Sequence, residues 1–278
     1  MILDGNLVSS KIREDIKNEV KTFLIKPCLA VIQIGENEAS SIYIKAKEKV
    51  CIEIGIYFKH IKFESDVTNI AVINKIMELN NDNHVHGILL QLPIPNKLDV
   101  NKLINTIKPS KDVDGLTDIN VGRLTKNIDG FIPCTPMGIM ELFKEYNIDL
   151  EGKHIVVIGK SNLVGKPLAN LLLNNKATVT VCHSKTTNLS KHTKEADIIV
   201  SATGIKGLVT KDMVKKDSIV IDVGISRVDN KIYGDIGFDE VKTKASMITP
   251  VPGGVGPMTV VMLLKNVIKS YKRMNKIK

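Results

Sequence analysis

Hydrophobic positions along this chain alternate between two spacings. Short, apolar, β-rich runs recur from end to end: CLAVIQIG (28–35), IYFKHIKF (56–63), VHGILLQL (85–92), HIVVIG (154–159), TVTVCH (178–183), DIIVSAT (197–203), SIVIDVG (218–224) and SMITPVP (246–252). Between them lie amphipathic or lysine-rich stretches at helical spacing, such as ASSIYIKAKEKVCIEIG (39–55) and TNIAVINKIMELN (68–80). Strands that alternate with helices build βαβ units, so the pattern predicts an α/β fold with mostly parallel sheet.

Periodicity fades between Lys111 and Pro136, where Gly, Asp, Pro and Thr dominate, and a domain boundary is expected there. From His154 the order restarts as strand, Ser/Gly turn, helix, strand, the way a nucleotide-binding half begins. Two α/β domains are therefore predicted, the second a Rossmann-like, doubly wound parallel sheet. A last helix is expected after Pro257, running through MTVVMLLKNVIKSYKRM.

The string HIVVIGKSNLVGKPLANLLL places Gly159, Ser161 and Gly165 between a buried-type strand and an apolar helix with Pro167 in its first turn. Glycine lets backbone approach a phosphate closely, and a helix N-terminus favours negative charge. The spacing is GxSxxxG rather than GxGxxG, so a tight strand-to-helix turn explains it equally well by itself. The next strand ends in His183, Ser184 and Lys185, where an NAD-binding domain carries an acidic residue for the ribose hydroxyls. With no carboxylate there to repel a phosphate, and Lys160 beside the glycine turn, NADP is expected over NAD. Ala202, Thr203 and Gly204, and further on Gly224 and Ile225, mark two later turns at predicted strand ends, where open parallel sheets bind ligands.

In the first half, Ile42, Tyr43, Ala46, Val50 and Ile54 fall within about 60° of one helix face at 100° per residue, which predicts that this face packs on the core. Lys47 then sits at the margin of the stripe, one turn after Tyr43, and Lys49 at a similar margin on the other side. An amine drawn partly out of water favours its neutral form and can exchange protons, though lysines at such margins usually snorkel. The wheel alone does not choose between the two. Gln91 interrupts an apolar run, so it is either a satisfied core amide or a group aimed at a ligand. Asp112 and Asp114 precede Gly115; a carboxylate there can accept paired N–H donors from a guanidine-like edge such as a pterin, or simply form a turn. TPVPGGVGPMT packs three prolines and three glycines before the last helix, giving rigid, open backbone.

Composition narrows the classes. The chain has 278 residues, 43% hydrophobic and 25% charged, long enough for one large or two modest domains and too ordinary for disorder. Its four cysteines are scattered, and His84 and His86 lack further ligands nearby, so no disulfide framework or metal site is expected. No signal region or membrane-spanning stretch is read, so the expected setting is the cytoplasm, with no membrane partner. Lys plus Arg outnumber Asp plus Glu by 39 to 30, for a net +9, but only 4% of residues are aromatic and none is tryptophan, so nucleic-acid binding is not expected.

Taken together, SSIYIKAKEKVCIEIGI, VHGILLQLPIP, KDVDGLTDINVGRL, FIPCTPMGIMELF, VVIGKSNLVGKPLANLLL, ATVTVCHSKT and TPVPGGVGPMTVVMLLKN resemble the bifunctional methylenetetrahydrofolate dehydrogenase/methenyltetrahydrofolate cyclohydrolase family, in order along nearly the whole chain. The resemblance implies a homodimer of two-domain chains around a cleft. A folate-binding catalytic domain (1–137), to which the last helix (257–278) returns, would flank an NADP-binding domain (138–256). It implies oxidation of 5,10-methylenetetrahydrofolate with NADP, then hydrolysis to 10-formyltetrahydrofolate, on substrates carrying polyglutamate tails. It implies Lys47 as catalytic lysine, Tyr43 within the folate site, Gln91 orienting the lysine, and Asp114 on the pterin. Gly159, Lys160, Ser161, Ser184 and Ile225 would contact the cofactor. Many NADP-using members carry arginine after the first glycine; Lys160 offers a point charge instead of a bidentate fork.

Overall fold

The computed structural model describes residues 1–229 and 231–277, apart from the side chain of Ala39. In chain order the elements are α1 (Gly5–Lys21), β1 (Cys28–Ile34), α2 (Glu38–Ile54), β2 (Tyr57–Phe63), α3 (Asn69–Asn81), β3 (Gly87–Leu90), α4 (Val100–Thr106), α5 (Asp118–Thr125) and α6 (Cys134–Glu145). The second half continues with β4 (His154–Ile158), α7 (Gly165–Asn174), β5 (Thr178–Cys182), α8 (Leu189–Glu195), β6 (Ile198–Ser201), β7 (Ile219–Asp222), β8 (Ser226–Val228), β9 (Lys231–Tyr233), α9 (Phe238–Val241), β10 (Met247–Ile248) and α10 (Val255–Met274).

The chain divides into two compact units at three points, two of which fall inside helices, α1 and α10. One unit, Lys11–Ile132 with Leu263–Lys278, holds a parallel sheet in the order β2-β1-β3. Leu29 to Ile34 of the central strand are all buried, as the covered strand of a parallel sheet must be. Ile76, Leu79, Ile88 and Leu103 are among the side chains that close the core around this sheet. Within the same unit the C-terminal half of α10 buries Leu264, Val267, Ile268 and Tyr271. Gly87 opens β3 at a point where a Cβ would lie 2.7 Å from a Val113 methyl.

The other unit, Met1–Ser10 with Pro133–Met262, holds a parallel sheet in the order β10-β7-β6-β4-β5. Chain order runs outward from β4 to β5, then reverses to β6 on its other side, so a topological switch point lies between β4 and β6. Residues 1–10, expected in the first domain, belong here because Leu3 N–H donates to the Ile248 carbonyl (2.9 Å) and Ile248 N–H to that of Met1 (3.0 Å), extending the sheet beyond β10. The long helix expected after Pro257 begins two residues earlier, at Val255, and the aperiodic stretch after Lys111 contains the short α5. Each expected strand run contains an observed strand; the β8–β9 hairpin is additional. Among the described residues, no helix is long and apolar enough to cross a membrane, and no group of three or more His, Cys, Asp or Glu could hold a metal ion.

Candidate active sites

In the three-stranded unit, α2 is fixed at both ends. Asn37 caps it by accepting the Ser40 N–H (2.9 Å), and Gly55 ends it in the left-handed region at φ 86°. Between these caps the buried positions are Ser40, Ile44, Lys47, Cys51 and Ile54, a four-three-four-three repeat, while Ile42, Tyr43 and Ala46 are exposed. The buried face is thus rotated from the one hydropathy predicts, and Lys47 lies within it rather than at its margin. Hydropathy misses this because two of the five buried positions are polar and satisfied: Ser40 Oγ donates to the Leu92 carbonyl (3.4 Å), and Lys47 Nζ to Gln91 Oε1 (2.8 Å). Burial also separates the two lysines, since Lys47 is 9% exposed and Lys49 lies outside the buried stripe.

Gln91 stands one residue past β3, where its N–H extends the ladder to the Ile32 carbonyl (2.8 Å). Its own Nε2 donates to the Leu92 carbonyl (2.8 Å), which turns Oε1 toward the lysine. One helical turn past Lys47, burial pushes the Cys51 thiol up to about 12, so that neighbour is uncharged. One turn before Lys47, Tyr43 is 41% exposed, on the flank beside the buried stripe.

The two aspartates before Gly115 separate cleanly. Asp112 is 1% exposed and spends both oxygens inside: Oδ1 accepts Leu116 N–H (3.1 Å), and Oδ2 accepts Thr117 N–H (2.8 Å), Thr117 Oγ1 (2.7 Å) and Asn120 Nδ2 (2.8 Å). Asp112 is therefore the anchor of the turn, and Asp114 is the half-buried carboxylate it presents. From α10, Asn266 Nδ2 donates to the carbonyls of Val113 (2.9 Å) and Ile132 (3.0 Å), fixing the residue before Asp114. Sequence reading missed Asn266 because one amide among apolar helix positions resembles any core asparagine.

The five-stranded unit builds its candidate site from backbone. Gly159 ends β4 at φ 121°, where a Cβ would stand 2.5 Å from the Ala202 carbonyl oxygen; a Cβ on Gly165 would stand 1.9 Å from the Gly159 oxygen. Gly159 N–H donates to the Cys182 carbonyl (2.8 Å), so the turns carrying Lys160 and Ser161 and that carrying Ser184 are neighbours. All three side chains are exposed, and Ser161 Oγ accepts the Val164 N–H (3.2 Å). Val164 caps α7 without offering a side-chain acceptor, and Pro167 has no N–H to leave unpaired. A close-packed glycine turn, a helix start lacking a side-chain cap and a flanking lysine fit a dinucleotide phosphate. Ile225 is 42% exposed past β7, and the Ala202–Gly204 turn follows β6 beside Gly159.

Fold and glycine turn together define a two-unit α/β chain with one Rossmann-type unit. The family model described as "Tetrahydrofolate dehydrogenase/cyclohydrolase, catalytic domain" matches residues 3–114, and its "NAD(P)-binding domain" counterpart matches 133–275. The chain is 53% identical to a bifunctional protein FolD of Campylobacter hominis, over 100% of this chain and 99% of that protein. A Campylobacter jejuni FolD methylenetetrahydrofolate dehydrogenase/cyclohydrolase structure superposes with a TM-score of 0.96 at 50% identity, covering 98% of this chain and 99% of that one. A Trypanosoma brucei methylenetetrahydrofolate dehydrogenase-cyclohydrolase solved with NADP and inhibitor gives a TM-score of 0.94 at 36% identity, covering 98% and 97%. This chain belongs to the tetrahydrofolate dehydrogenase/cyclohydrolase family.

Proposed function

We propose that this chain is a bifunctional enzyme that oxidises 5,10-methylenetetrahydrofolate to the 5,10-methenyl cation with NADP and then hydrolyses that cation to 10-formyltetrahydrofolate. Membership of the family and its two named domains support both activities. The observation that carries the hydrolytic half is the Lys47–Gln91 contact, an amine held at 2.8 Å by an amide that is itself locked to the neighbouring backbone.

NADP, when bound, supplies the hydride acceptor. Gly159, Lys160, Ser161, Ser184 and Ile225 hold it, with Lys160 as the positive point charge toward its extra phosphate. In the hydrolytic step water adds to the methenyl carbon and releases one proton to solvent; the carbon–N5 bond then breaks as the remaining hydroxyl proton leaves to form the formyl C=O, and N5 gains that proton. Lys47 carries that proton, and Gln91 keeps the amine aimed. Tyr43 covers the folate ring, and Asp114 accepts the pterin's paired N–H donors. The protein acts in the cytoplasm as a homodimer, and its net charge of +9 attracts the polyglutamate tails of its substrates.

A mixture of protein, 5,10-methylenetetrahydrofolate and either NADP or NAD, with products separated as methenyl and formyl species, tests this. Nicotinamide reduction favouring NADP, followed by formyl product at enzyme-dependent rate, is the expected result. Accumulation of the methenyl species without catalysed hydrolysis would reduce the protein to a dehydrogenase, and no reduction at all would remove the oxidative half.

A further inference from the structure

Two aspartates of the five-stranded unit lie outside the chemistry above and are shut away from water, Asp222 at 3% exposure and Asp235 at 0%. Asp235 Oδ2 accepts Ser201 Oγ (2.8 Å), Thr203 N–H (2.7 Å) and Thr203 Oγ1 (2.9 Å), while Oδ1 accepts Ile205 N–H (2.9 Å). One carboxylate thus gathers the end of β6 and the whole turn that follows it. The turn after β7 rests on the same group: a Cβ on Gly224 would lie 1.8 Å from Asp235 Oδ1, so only glycine lets that backbone pass. Asp222 in turn holds the peptide beneath, its Oδ1 accepting Asp235 N–H (2.9 Å) and its Oδ2 accepting Ile236 N–H (3.0 Å).

We propose that Asp235 is a positioning residue for the nicotinamide cofactor, setting the turn at Ala202–Ile205 and the turn at Gly224–Ile225 in one fixed relation through a shared buried carboxylate. The inference rests on the reading of these strand ends as the cofactor site. Asp235 touches no ligand itself. It fixes backbone that does, in the way an outer hydrogen bond fixes the orientation of a group that binds. Sequence reading passed over it because a Gly-Asp pair before a short helix looks like an ordinary turn.

Asp235→Asn gives the sharpest test. The amide can place its oxygen where Oδ2 sits and keep three donors, but its NH2 then faces the Ile205 N–H, donor against donor. The expected result is NADP binding weakened about tenfold by calorimetric titration, the equivalent of about 1.4 kcal/mol. Hydrolysis of 5,10-methenyltetrahydrofolate, supplied directly without NADP, is expected to stay within about twofold, since it needs no cofactor. Thr203→Val should weaken NADP several-fold and Thr203→Ser should restore it, which also decides the matter should the Asp235 variant fail to fold. Unchanged NADP affinity in these variants, or hydrolysis falling in step with it, would overturn the proposal and leave Asp235 a general packing residue. Absence of NADP binding by the unaltered protein would instead remove the cofactor reading before Asp235 is at issue.

Discussion

The two units make their candidate sites from different material. In the three-stranded unit the chemistry is a meeting of side chains, Lys47 from a helix and Gln91 from a strand end, at 2.8 Å on a buried face. In the five-stranded unit the side chains at the site are exposed and the shape is set by main chain, at glycines where a Cβ has no room. A site of the first kind depends on individual functional groups, and one of the second kind on the path of the backbone. Substitutions should separate them.

The largest expected effect is at Lys47. Lys47→Met should lower hydrolysis of the methenyl species by a factor on the order of 100 to 10,000, while leaving NADP affinity unchanged. Lys49→Met, outside the buried stripe of the same helix, should leave both alone. Stopped-flow decay of methenyl absorbance measures this, and near-normal decay in the Lys47 variant would take that amine out of the mechanism. Next comes Gly159→Ala, which must find space 2.5 Å from a carbonyl oxygen at a φ of 121°. Its expected result is the reverse pattern, with NADP affinity down by about tenfold or more and hydrolysis preserved.

The units should also part company with pH. Burial pushes His86 down to about 4, and Cys28 N–H donates to its Nδ1 (3.1 Å), a lone pair that protonation would remove. The unfolded imidazole takes its proton near 6.5, so stability from this group is intact above that pH and is lost as pH falls toward about 4. Asp222 runs the other way. Burial lifts it to about 7 from an ordinary 3.8, so its contribution is full below 3.8 and is lost as pH rises through about 7. Side-chain NMR titrations of His86 and Asp222 should give those two midpoints, and ordinary values for both would erase the contrast.

The smallest effect is expected at Lys160, which is exposed and offers a point charge. Lys160→Ala should weaken NADP by roughly two- to fivefold at low salt, less at high salt, and leave NAD unaffected, read by parallel titrations. Equal loss for both cofactors would mean that the lysine does not sense the additional phosphate.

Legibility in the sequence followed the same division. The turn at Gly159 is visible because a backbone site leaves its mark in residue type and spacing, strand then glycine then helix. The central strand runs were equally plain, since strands buried on both faces, such as β1, β4 and β6, are nearly continuous apolar runs. The face of α2 was not legible from hydropathy. Ser40 and Lys47 are polar residues inside, and Ile42 and Tyr43 apolar ones outside, so the averaged pattern points to the wrong side. What restores polar residues to an interior is a partner distant in sequence, here Leu92 and Gln91, and no local period encodes that. Asp112 and Asp114 illustrate it again, alike as letters and opposite in role once Thr117 and Asn120 claim the first.

Each unit is assembled from two separate segments of the chain. During synthesis Lys11–Ile132 leaves the ribosome well before Leu263–Lys278 is made, so the turn presenting Asp114 must wait for the Asn266 amide to arrive. Premature termination anywhere between Asp114 and Asn266 would therefore strip the three-stranded unit of its final support, although every residue assigned there to folate chemistry had already been translated.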